Sequence, residues 1–500
     1  MEVSDPIIVR FSKNLISRHA ERLTDFTCVA CKEVRLICLE GPKRRFEGFV
    51  SARKIILNPM SEHRERCQQL SQVEVVLSLI KCSIGAGSFV LPKAFADGGI
   101  LASVVLIVLI SATSAYTIWE FLSYSDSYSD SMLDSNVPMK LLSSEESEGS
   151  LATRLPSLSI PDMVGTRFTW TCKETNVAKL LVQVLIFCTV VIITGAYIDF
   201  CTGLCGDLAE SWGKHILHPS SYAFLILPVE LFFCSLDNVK SLMASTAIGN
   251  AAVILGCMTV VIIGLGRDQS ESDSALRPNI TINTSGLPSS IGKLVFLLGI
   301  HIVAVPLVQR QNNVSSKKKT LLIAFSALAL FNCLFGFFGY VLFLGEDIQD
   351  NILLNLPQGS VPLDVIKVFV LVDLLCTFPL VFSVAMDIVE KEWDIINYIH
   401  HKYFEQTSLL HATKALRMAI TLLPFLFAMA IPSFADLVAL AGVVCVVTGY
   451  WFPPLLNTHL LLFSPHVNFD SDTAKWLVVD ALIFGFGTAV LFLTVYSLLE

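Results

Sequence analysis

The chain has 500 residues, of which 53% are hydrophobic and 16% charged, and its formal net charge is -8. A soluble chain of this length would carry about 25% charged residues. Apolar runs of about 20 residues, long enough to cross a bilayer, recur along the sequence. The composition therefore excludes an ordinary soluble globular protein, and we expect a polytopic membrane protein of the all-α class.

Residues 1–72 form a polar segment of mixed charge before the first apolar run. No apolar core followed by a small-residue cleavage site occurs there, so no signal peptide is predicted. We expect a cytoplasmic tail that is partly disordered. The segment contains one Cys-x-x-Cys pair, Cys28 and Cys31, without a matching second pair, so no metal site is predicted.

A membrane domain is predicted over residues 73–498, with eleven candidate spans. The candidate spans are 73–95, 99–122, 176–203, 221–235, 242–264, 291–308, 320–344, 363–387, 414–431, 437–457 and 476–498. Between the second and third spans, residues 123–159 are rich in Ser, Asp and Glu. Such a composition cannot bury a core, so we expect a disordered cytoplasmic loop there.

The distribution of Lys and Arg predicts the orientation. Outside the spans these residues are concentrated in 1–72 and in every second loop that follows. The positive-inside rule then places the N-terminus in the cytoplasm. Asn279 and Asn283 begin sequons in the loop between spans five and six, which this orientation places outside, so both are predicted glycosylation sites. The plasma membrane and a vacuolar or lysosome-like membrane both remain open.

The first span is interrupted in its middle. It reads Ser-Ile-Gly-Ala-Gly-Ser-Phe-Val-Leu-Pro over residues 83–92. Glycine disfavours a helix by about 1 kcal/mol relative to alanine, and two glycines with Pro92 just beyond predict a break. Irregular backbone at membrane depth is tolerated only where protein or a water-filled cavity satisfies its polar groups. In secondary transporters such a break is where the substrate binds.

A second break is predicted five spans later. Span six contains Gly299 and, seven residues on, Pro306, again inside an apolar run. Interruptions at corresponding positions of two halves indicate inverted repeats with a binding site between them. We expect spans 1–5 and 6–10 to be the repeats, with span 11 an addition. A proline kink in an ordinary span is the alternative for either break alone.

The chemistry of the two breaks favours a zwitterionic α-amino acid. The N-terminus of a half-helix offers free N–H donors and partial positive charge to a carboxylate. The carbonyl groups that end the other half-helix suit an ammonium group. Apolar neighbours favour a neutral side chain. The predicted substrate-binding residues are Ser83, Ile84, Gly85, Ala86, Gly87, Ser88, Leu298, Gly299, Ile300 and His301.

Several motifs resemble the amino acid/auxin permease family. The run from Leu79 through Gly85-Ala86-Gly87 to Leu91-Pro92-Lys93-Ala94-Phe95 is similar to the first span of that family. Further similarities are Ile160-Pro161-Asp162, Leu227-Pro228, Gly339-Tyr340, Asn351-Ile352-Leu353, Asn355-Leu356-Pro357, Thr377-Phe378-Pro379 and Pro453. The resemblance covers about residues 73–498 and implies a LeuT-type fold with eleven spans and a cytoplasmic N-terminus.

The coupling ion is predicted from ionisable residues within the spans, which are functional candidates by default. Lys81 occupies a position where sodium-coupled members of the family have Asn and proton-coupled members have Lys. An ammonium group there would repel sodium, so we expect proton coupling or ion-independent transport. Asp373, one turn before Thr377, is a candidate ion-pair partner for Lys81, and His301 a candidate proton carrier. Leu298 stands where proton-coupled members often have an acid.

Other membrane-embedded groups have a simpler interpretation. Lys81 can instead extend to the membrane surface, and His301 can be a packed hydrogen-bond partner. Four acids lie near predicted span ends, where we expect them to reach interfacial water: Glu120, Asp199, Glu230 and Asp480.

We therefore predict a secondary active transporter of neutral amino acids that works by alternating access, either as a proton-coupled symporter or without sodium. No enzyme is predicted, because the sequence has no phosphate loop, metal cluster or nucleophile constellation. No cofactor is expected beyond a coupling ion, most simply H⁺, and no nucleic-acid partner. A membrane-embedded amino-acid sensor with little or no transport is the main alternative. The oligomeric state is not predicted.

Overall fold

Helices form almost all of the structure that a computed structural model defines for this chain. Contacts divide the chain into two units, and the residues described here all lie in the second, Leu70–Glu500. Of the predicted tail 1–72, only residues 71 and 72 belong to the described part of the chain. The described residues are 71–134, 158–168, 175–213, 219–235, 243–266, 282–311, 314–344, 347–393, 395, 409–431, 433–463 and 471–499.

The helices are numbered in chain order. They are α1 (Gln72–Ser83), α2 (Leu91–Gly98), α3 (Ile100–Asp134), α4 (Ile160–Arg167), α5 (Thr175–Ser211), α6 (Pro219–Cys234), α7 (Met243–Gly266), α8 (Leu287–Leu298), α9 (His301–Gln309), α10 (Val314–Val341), α11 (Val361–Asp387), α12 (Leu409–Ala430), α13 (Phe434–Val446), α14 (Phe452–Phe463) and α15 (Ser471–Leu499). Short 3₁₀-helices cover Ala86–Val90 and Ile352–Asn355, and π-helical turns follow α11 and α13.

The helix lengths confirm the all-α membrane class. Among the described residues, eight helices are long and apolar enough to cross a membrane, or nine if α1 and α2 form one bent span. Two shorter apolar helices, Ser221–Cys234 and Ala251–Gly266, coincide with predicted spans four and five. The number of eleven spans therefore stays a prediction.

Helix α3 extends into the segment predicted to be a disordered loop, residues 123–159. Helix α3 continues to Asp134, so the expectation of disorder is wrong for residues 123–134. Tertiary contacts stabilise this extension, since Lys317 Nζ lies 2.8 Å from Asp126 and Gln309 donates to Ser125 Oγ. Ser159 caps α4 by accepting a hydrogen bond from the Asp162 N–H. Residues 135–157 lie outside the described part of the chain.

The predicted repeats are matched by helix pairs that contact each other. The interrupted pair α1–α2 packs against the interrupted pair α8–α9, α3 packs against α10, and α5 packs against α11. Each pair joins elements five spans apart, the arrangement expected of a LeuT-type 5+5 inverted repeat. The largest apolar core surrounds the first break and includes Phe89, Phe200 and Phe335, whose rings contact one another through Phe89.

Candidate functional site

The first span is broken where the sequence predicted. Helix α1 ends at Ser83, and Ile84 and Gly85 have non-helical backbone angles before the 3₁₀-helix Ala86–Val90 begins. The two halves are bent by 49°. The Ser88 N–H donates to the Gly85 carbonyl at 3.0 Å, so it is not available to a ligand. The N–H donors at this break are those of Ala86 and Gly87, the first residues of the 3₁₀-helix, which have no acceptor within it.

The second break lies five spans later, also as predicted. Helix α8 ends at Leu298 and α9 begins at His301, with Gly299 and Ile300 non-helical between them. The Gly299 N–H closes α8 by donating to the Val295 carbonyl at 2.7 Å, and the Ile300 carbonyl accepts from the start of α9. Gly299 also lies close to Cys445, since a Cβ added at Gly299 would be 3.0 Å from the Cys445 Cβ.

The two breaks meet in the protein interior. Ser83 Oγ donates a buried hydrogen bond of 2.6 Å to the Leu297 carbonyl, across 214 residues of sequence. A Cβ at Gly87 would lie 2.8 Å from the Phe296 ring and 3.2 Å from Leu297. Only glycine permits so close an approach of the two segments. This contact brings the predicted substrate-binding residues of both spans into one site.

The meeting point retains open space and an unsatisfied polar group. A Cβ at Gly85 would meet no atom within 4 Å, and Ile84 and Gly85 are half-buried. The Ser88 hydroxyl is fully buried and has no hydrogen-bond partner among the described residues. Buried polar groups are normally satisfied, so this hydroxyl has unused hydrogen-bonding capacity next to the first break.

The predicted ion-coupling residues lie near the first break. Lys81 is exposed in the last turn of α1 and interacts electrostatically with the Asp373 carboxyl. Asp373 is only 8% exposed, and its Oδ1 accepts a hydrogen bond of 3.4 Å from the Thr377 hydroxyl. Asp373 and Thr377 of α11 therefore form a hydrogen-bonded pair that the charge of Lys81 influences, and the role of the three residues in coupling stays a prediction.

His301 is packed within the bundle. Its Nε2 lies 2.7 Å from the Thr117 hydroxyl, and its ring contacts the Tyr450 ring edge to face at 5.8 Å. Gly449 provides the space for the imidazole, since a Cβ there would lie 2.6 Å from the ring. His301 thus lies between α3 and the π-helical turn after α13, and a proton-carrying role stays a prediction.

An ion pair that sequence reasoning missed connects the two broken spans at one end. Lys293 on α8 lies 2.5 Å from Asp97 on α2, and the Lys293 side chain is 3% exposed. The Asn283 N–H donates to the Gly98 carbonyl at the same end. Asn283 is half-buried there, and Asn279 lies outside the described residues, so glycosylation of both stays a prediction. The one sequence signal for the Asp97–Lys293 pair was a charged residue, Lys293, within an apolar run.

A cavity of about 260 Å³ lies on the other side of the breaks. Residues from α9 line it, and α9 extends from the second break away from the Asp97–Lys293 pair. The start of α4 and the helices α5 and α11 complete its wall. An ion pair therefore joins the two broken spans at one end, and a cavity lies beside α9 toward the other.

The acids predicted to reach interfacial water do not all do so. Glu230 is 2% exposed and Asp480 1%, so that expectation is wrong for these two. Glu120 is 7% exposed but lines a surface cavity, and Asp199 is half-buried. Glu120 and Asp480 are 360 residues apart and contact the same amide, that of Asn457. Helix packing that no local pattern encodes brings them together.

The fold and the site define a polytopic membrane protein with two broken helices that meet at a partly open site. The family of transmembrane amino acid transporter proteins matches residues 68–500, and the chain belongs to this family. This confirms the resemblance inferred from the motifs. The members are transporters rather than enzymes, in agreement with the prediction from the sequence.

The curated relatives are plant and animal transporters. The chain is 24% identical to amino acid transporter ANT1 of Arabidopsis thaliana over 450 residues, 88% of this chain and 96% of ANT1. It is 28% identical to amino acid transporter AVT3C of the same plant over 277 residues, 52% of this chain and 57% of AVT3C. The match therefore spans little more than half of AVT3C.

The solved structure of MhsT in complex with L-phenylalanine is also similar. It has a TM-score of 0.41 and 12% sequence identity, and the match covers 86% of this chain and 99% of MhsT.

Proposed function

We propose that this chain is a secondary active transporter that carries neutral amino acids by alternating access. One observation carries the proposal: two broken helices, five spans apart, meet through the Ser83–Leu297 hydrogen bond beside open space at Gly85. Its family and the amino acid transporters ANT1 and AVT3C support amino acids as the substrate class.

The substrate carboxylate binds to the N–H groups of Ala86 and Gly87, where the dipole of the second half-helix favours negative charge. The ammonium group binds to carbonyl oxygens at the C-terminal ends of α1 and α8. The Ser88 hydroxyl supplies a further donor or acceptor. Ile84, Leu298 and Ile300 give the side chain an apolar environment, which disfavours charged substrates because an unpaired charge is costly to bury.

Coupling to protons, or transport without any ion, follows from Lys81. The positive charge of its ammonium group acts on the Asp373 carboxyl, as a bound cation would. A sodium ion bound there would be repelled. The Drosophila relative "Proton-coupled amino acid transporter-like protein pathetic", 26% identical over 225 residues and matched over 44% of its length, agrees with this proposal.

The orientation and membrane are also proposed. The Lys and Arg distribution supports a cytoplasmic N-terminus, which places the Asp97–Lys293 pair at the non-cytoplasmic end and the cavity beside α9 at the cytoplasmic end. Plasma membrane and vacuole-like or lysosome-like membrane remain two possible locations.

The proposal is tested by uptake of a radiolabelled amino-acid panel into proteoliposomes containing the full chain. Uptake is compared with and without an imposed proton gradient, at zero and at high sodium. We expect uptake of neutral amino acids that a proton gradient stimulates or leaves unchanged and that sodium does not affect.

Three other outcomes contradict parts of the proposal. Strict dependence on sodium would show that Lys81 does not block an ion site. Uptake of charged amino acids in preference to neutral ones would refute the apolar pocket. Saturable binding without flux under any gradient would indicate a sensor.

A further inference from the structure

A pair of buried carboxyl groups lies far from the two breaks. Glu120 is on α3, about 30 Å along that helix from its start beside the Asp97 end. Asp480 is on α15. The side chains are 7% and 1% exposed, and one amide group, that of Asn457, contacts both of them. No pattern in the sequence connects these two acids.

The surrounding hydrogen bonds hold the pair in place. The Asn457 amide nitrogen donates to Glu120 Oε1 at 3.1 Å and to Asp480 Oδ2 at 3.0 Å. The Thr458 hydroxyl donates to the same Asp480 oxygen at 3.1 Å. One amide on α14 therefore positions carboxyl groups from two other helices.

The remaining oxygens lack a donor. Glu120 Oε2 and Asp480 Oδ1 are buried and have no hydrogen-bond partner among the described residues. An ionised carboxylate only accepts hydrogen bonds, so two carboxylates in contact repel, whereas a carboxylic acid donates to a carboxylate. A proton held between the two groups supplies the missing donor.

The charged and titratable groups around the pair are compatible with two carboxyl groups that together hold one proton and carry one negative charge. Tyr116 on α3 lies beside both acids. Lys318 on α10 lines the same cavity as Glu120, with its Nζ 5.6 Å from the centre of the Trp119 ring. The other nearby groups are His459 on α14 and Lys475, earlier on α15 than Asp480. The His459 ring contacts Phe168, the residue after α4, and is influenced by the charge of Arg167.

The pair has a route to the surface. Glu120, Tyr116 and Asn457 line a cavity of about 500 Å³, large enough for several water molecules. Trp476, which stacks on Tyr116 with ring centres 6.0 Å apart, forms part of its wall. Water in this cavity can deliver a proton to Glu120 or remove it.

We propose that Glu120 and Asp480 form a proton-binding site that exchanges one proton through this cavity and couples it to movement of α3 against α14 and α15. The coupling part rests on the proposed transport function. Separation of the helices removes the stabilisation that the second carboxyl gives the shared proton, so the proton is released when the pair parts. The site is distinct from the Lys81–Asp373 group near the first break.

The proton site itself is tested without transport, by infrared difference spectroscopy of the purified full chain between acid and alkaline buffer. We expect a pH-dependent band of a protonated carboxyl group in the unmodified protein. Glu120→Gln and Asp480→Asn should each remove it, whereas Asp436→Asn, at an exposed acid on α13, should leave it unchanged. A band that persists unchanged in both buried variants overturns the proposal.

A second measurement does not depend on folding of the variants. A hydrophobic carbodiimide reacts with protonated carboxyl groups in apolar surroundings. Mass spectrometry of the unmodified protein should find Glu120 or Asp480 labelled in acid and protected in alkali. Labelling of neither acid under any condition overturns the proposal.

The coupling is tested by uptake. Glu120→Gln and Asp480→Asn should keep amino-acid counterflow and lose stimulation by a proton gradient. Unchanged stimulation in both variants, or uptake by the unmodified chain that a proton gradient does not stimulate, overturns the coupling. If the two buried variants lose the carboxyl band but the unmodified chain takes up no amino acid, the transport function is refuted and the proton site stands. The two failures are thus distinguishable.

Discussion

Gly85 and Gly87 lie two residues apart at the first break, in different surroundings. A Cβ at Gly85 projects into open space, whereas a Cβ at Gly87 lies within 3.2 Å of both Phe296 and Leu297. The φ of Gly85 is -148°, a negative value that alanine also adopts. Substitutions at Gly85 and at Gly87 therefore test the open space and the close packing separately.

We predict different effects of alanine at these two glycines. Gly85→Ala should leave the thermal stability unchanged or slightly raised, but its methyl group displaces the substrate carboxylate from the N–H groups of Ala86 and Gly87. Loss of such a charge-assisted hydrogen bond costs about 1.5–3 kcal/mol, so substrate affinity should fall by about tenfold or more. Gly87→Ala should lower the free energy of unfolding by about 1–3 kcal/mol through overpacking.

Thermal unfolding in detergent and substrate binding, measured on both variants, check this prediction. Normal affinity in Gly85→Ala would mean that the open space is not where the substrate carboxylate binds.

Among the elements, the short helix α4 is held in place by charge. Asp162 pairs with Lys179 at 2.8 Å, and Lys179 pairs with Glu392 at the same distance. Partial burial of the Asp162 carboxyl opposes its ionisation, but hydrogen bonds from Lys179 and Ser159 outweigh burial, so the pKa of Asp162 is lowered from its ordinary value of 3.8. Ionised Asp162 therefore stabilises the folded protein.

This lowered pKa predicts a pH dependence for the docking of α4. Because the pKa is lower in the folded than in the unfolded chain, the contribution is fully present above the unfolded value and is lost as the pH falls through the folded value. Asp162→Asn should reduce stability at neutral pH by about 0.5–1 kcal/mol, because the pair is partly exposed. The difference from the unmodified protein should vanish in acid and shrink at high salt.

Thermal unfolding as a function of pH provides the measurement, with Asp347→Asn at an exposed acid as the control. An Asp162→Asn deficit that is the same in acid as at neutral pH would contradict the electrostatic origin.

At the scale of the whole molecule, a partly buried ion pair and a buried one allow a test of which contacts control access to the central site. Asp97–Lys293 joins the two broken spans, whereas Asp207–Lys367 joins α5 and α11, with Lys367 fully buried. Removal of one partner of a buried pair leaves an uncompensated charge, which costs about 3–5 kcal/mol. Both pairs should matter for stability, but only the first joins the two broken spans, which the proposed function makes the gating elements.

We predict that Asp97→Asn shifts the protein toward a conformation open at that end. Hydrogen exchange should increase in α2 and α8, and the double variant Asp97→Lys with Lys293→Asp should partly restore the original protection. Asp207→Asn serves as the matched control and should lower stability without a specific effect on α2 and α8. Hydrogen exchange monitored by mass spectrometry on peptides from both helices provides the readout; equal changes in both single variants would contradict the gating role.

Elements of the fold could be predicted wherever they depend on the composition of neighbouring residues. Glycines within a long apolar run predicted both breaks, because glycine disfavours a helix whatever its neighbours are. The all-α class followed from apolar runs that must satisfy their backbone groups within one segment. Disorder of residues 123–134 was predicted from composition and was wrong, because Asp126 and Ser125 find partners on Lys317 and Gln309.

The sequence by itself thus determined the class, the two broken spans and the residues around them, since helix propensity and hydropathy act on neighbouring residues. Only the tertiary structure decided which distant groups meet: Ser83 with Leu297, Asp97 with Lys293, and Glu120 with Asp480. Those contacts arise from helix packing across hundreds of residues, and a single charged or polar residue carries no local mark of its partner. The difference is greatest for Glu120 and Asp480, whose positions near predicted span ends indicated exposure, whereas the packing of α3, α14 and α15 buries them together.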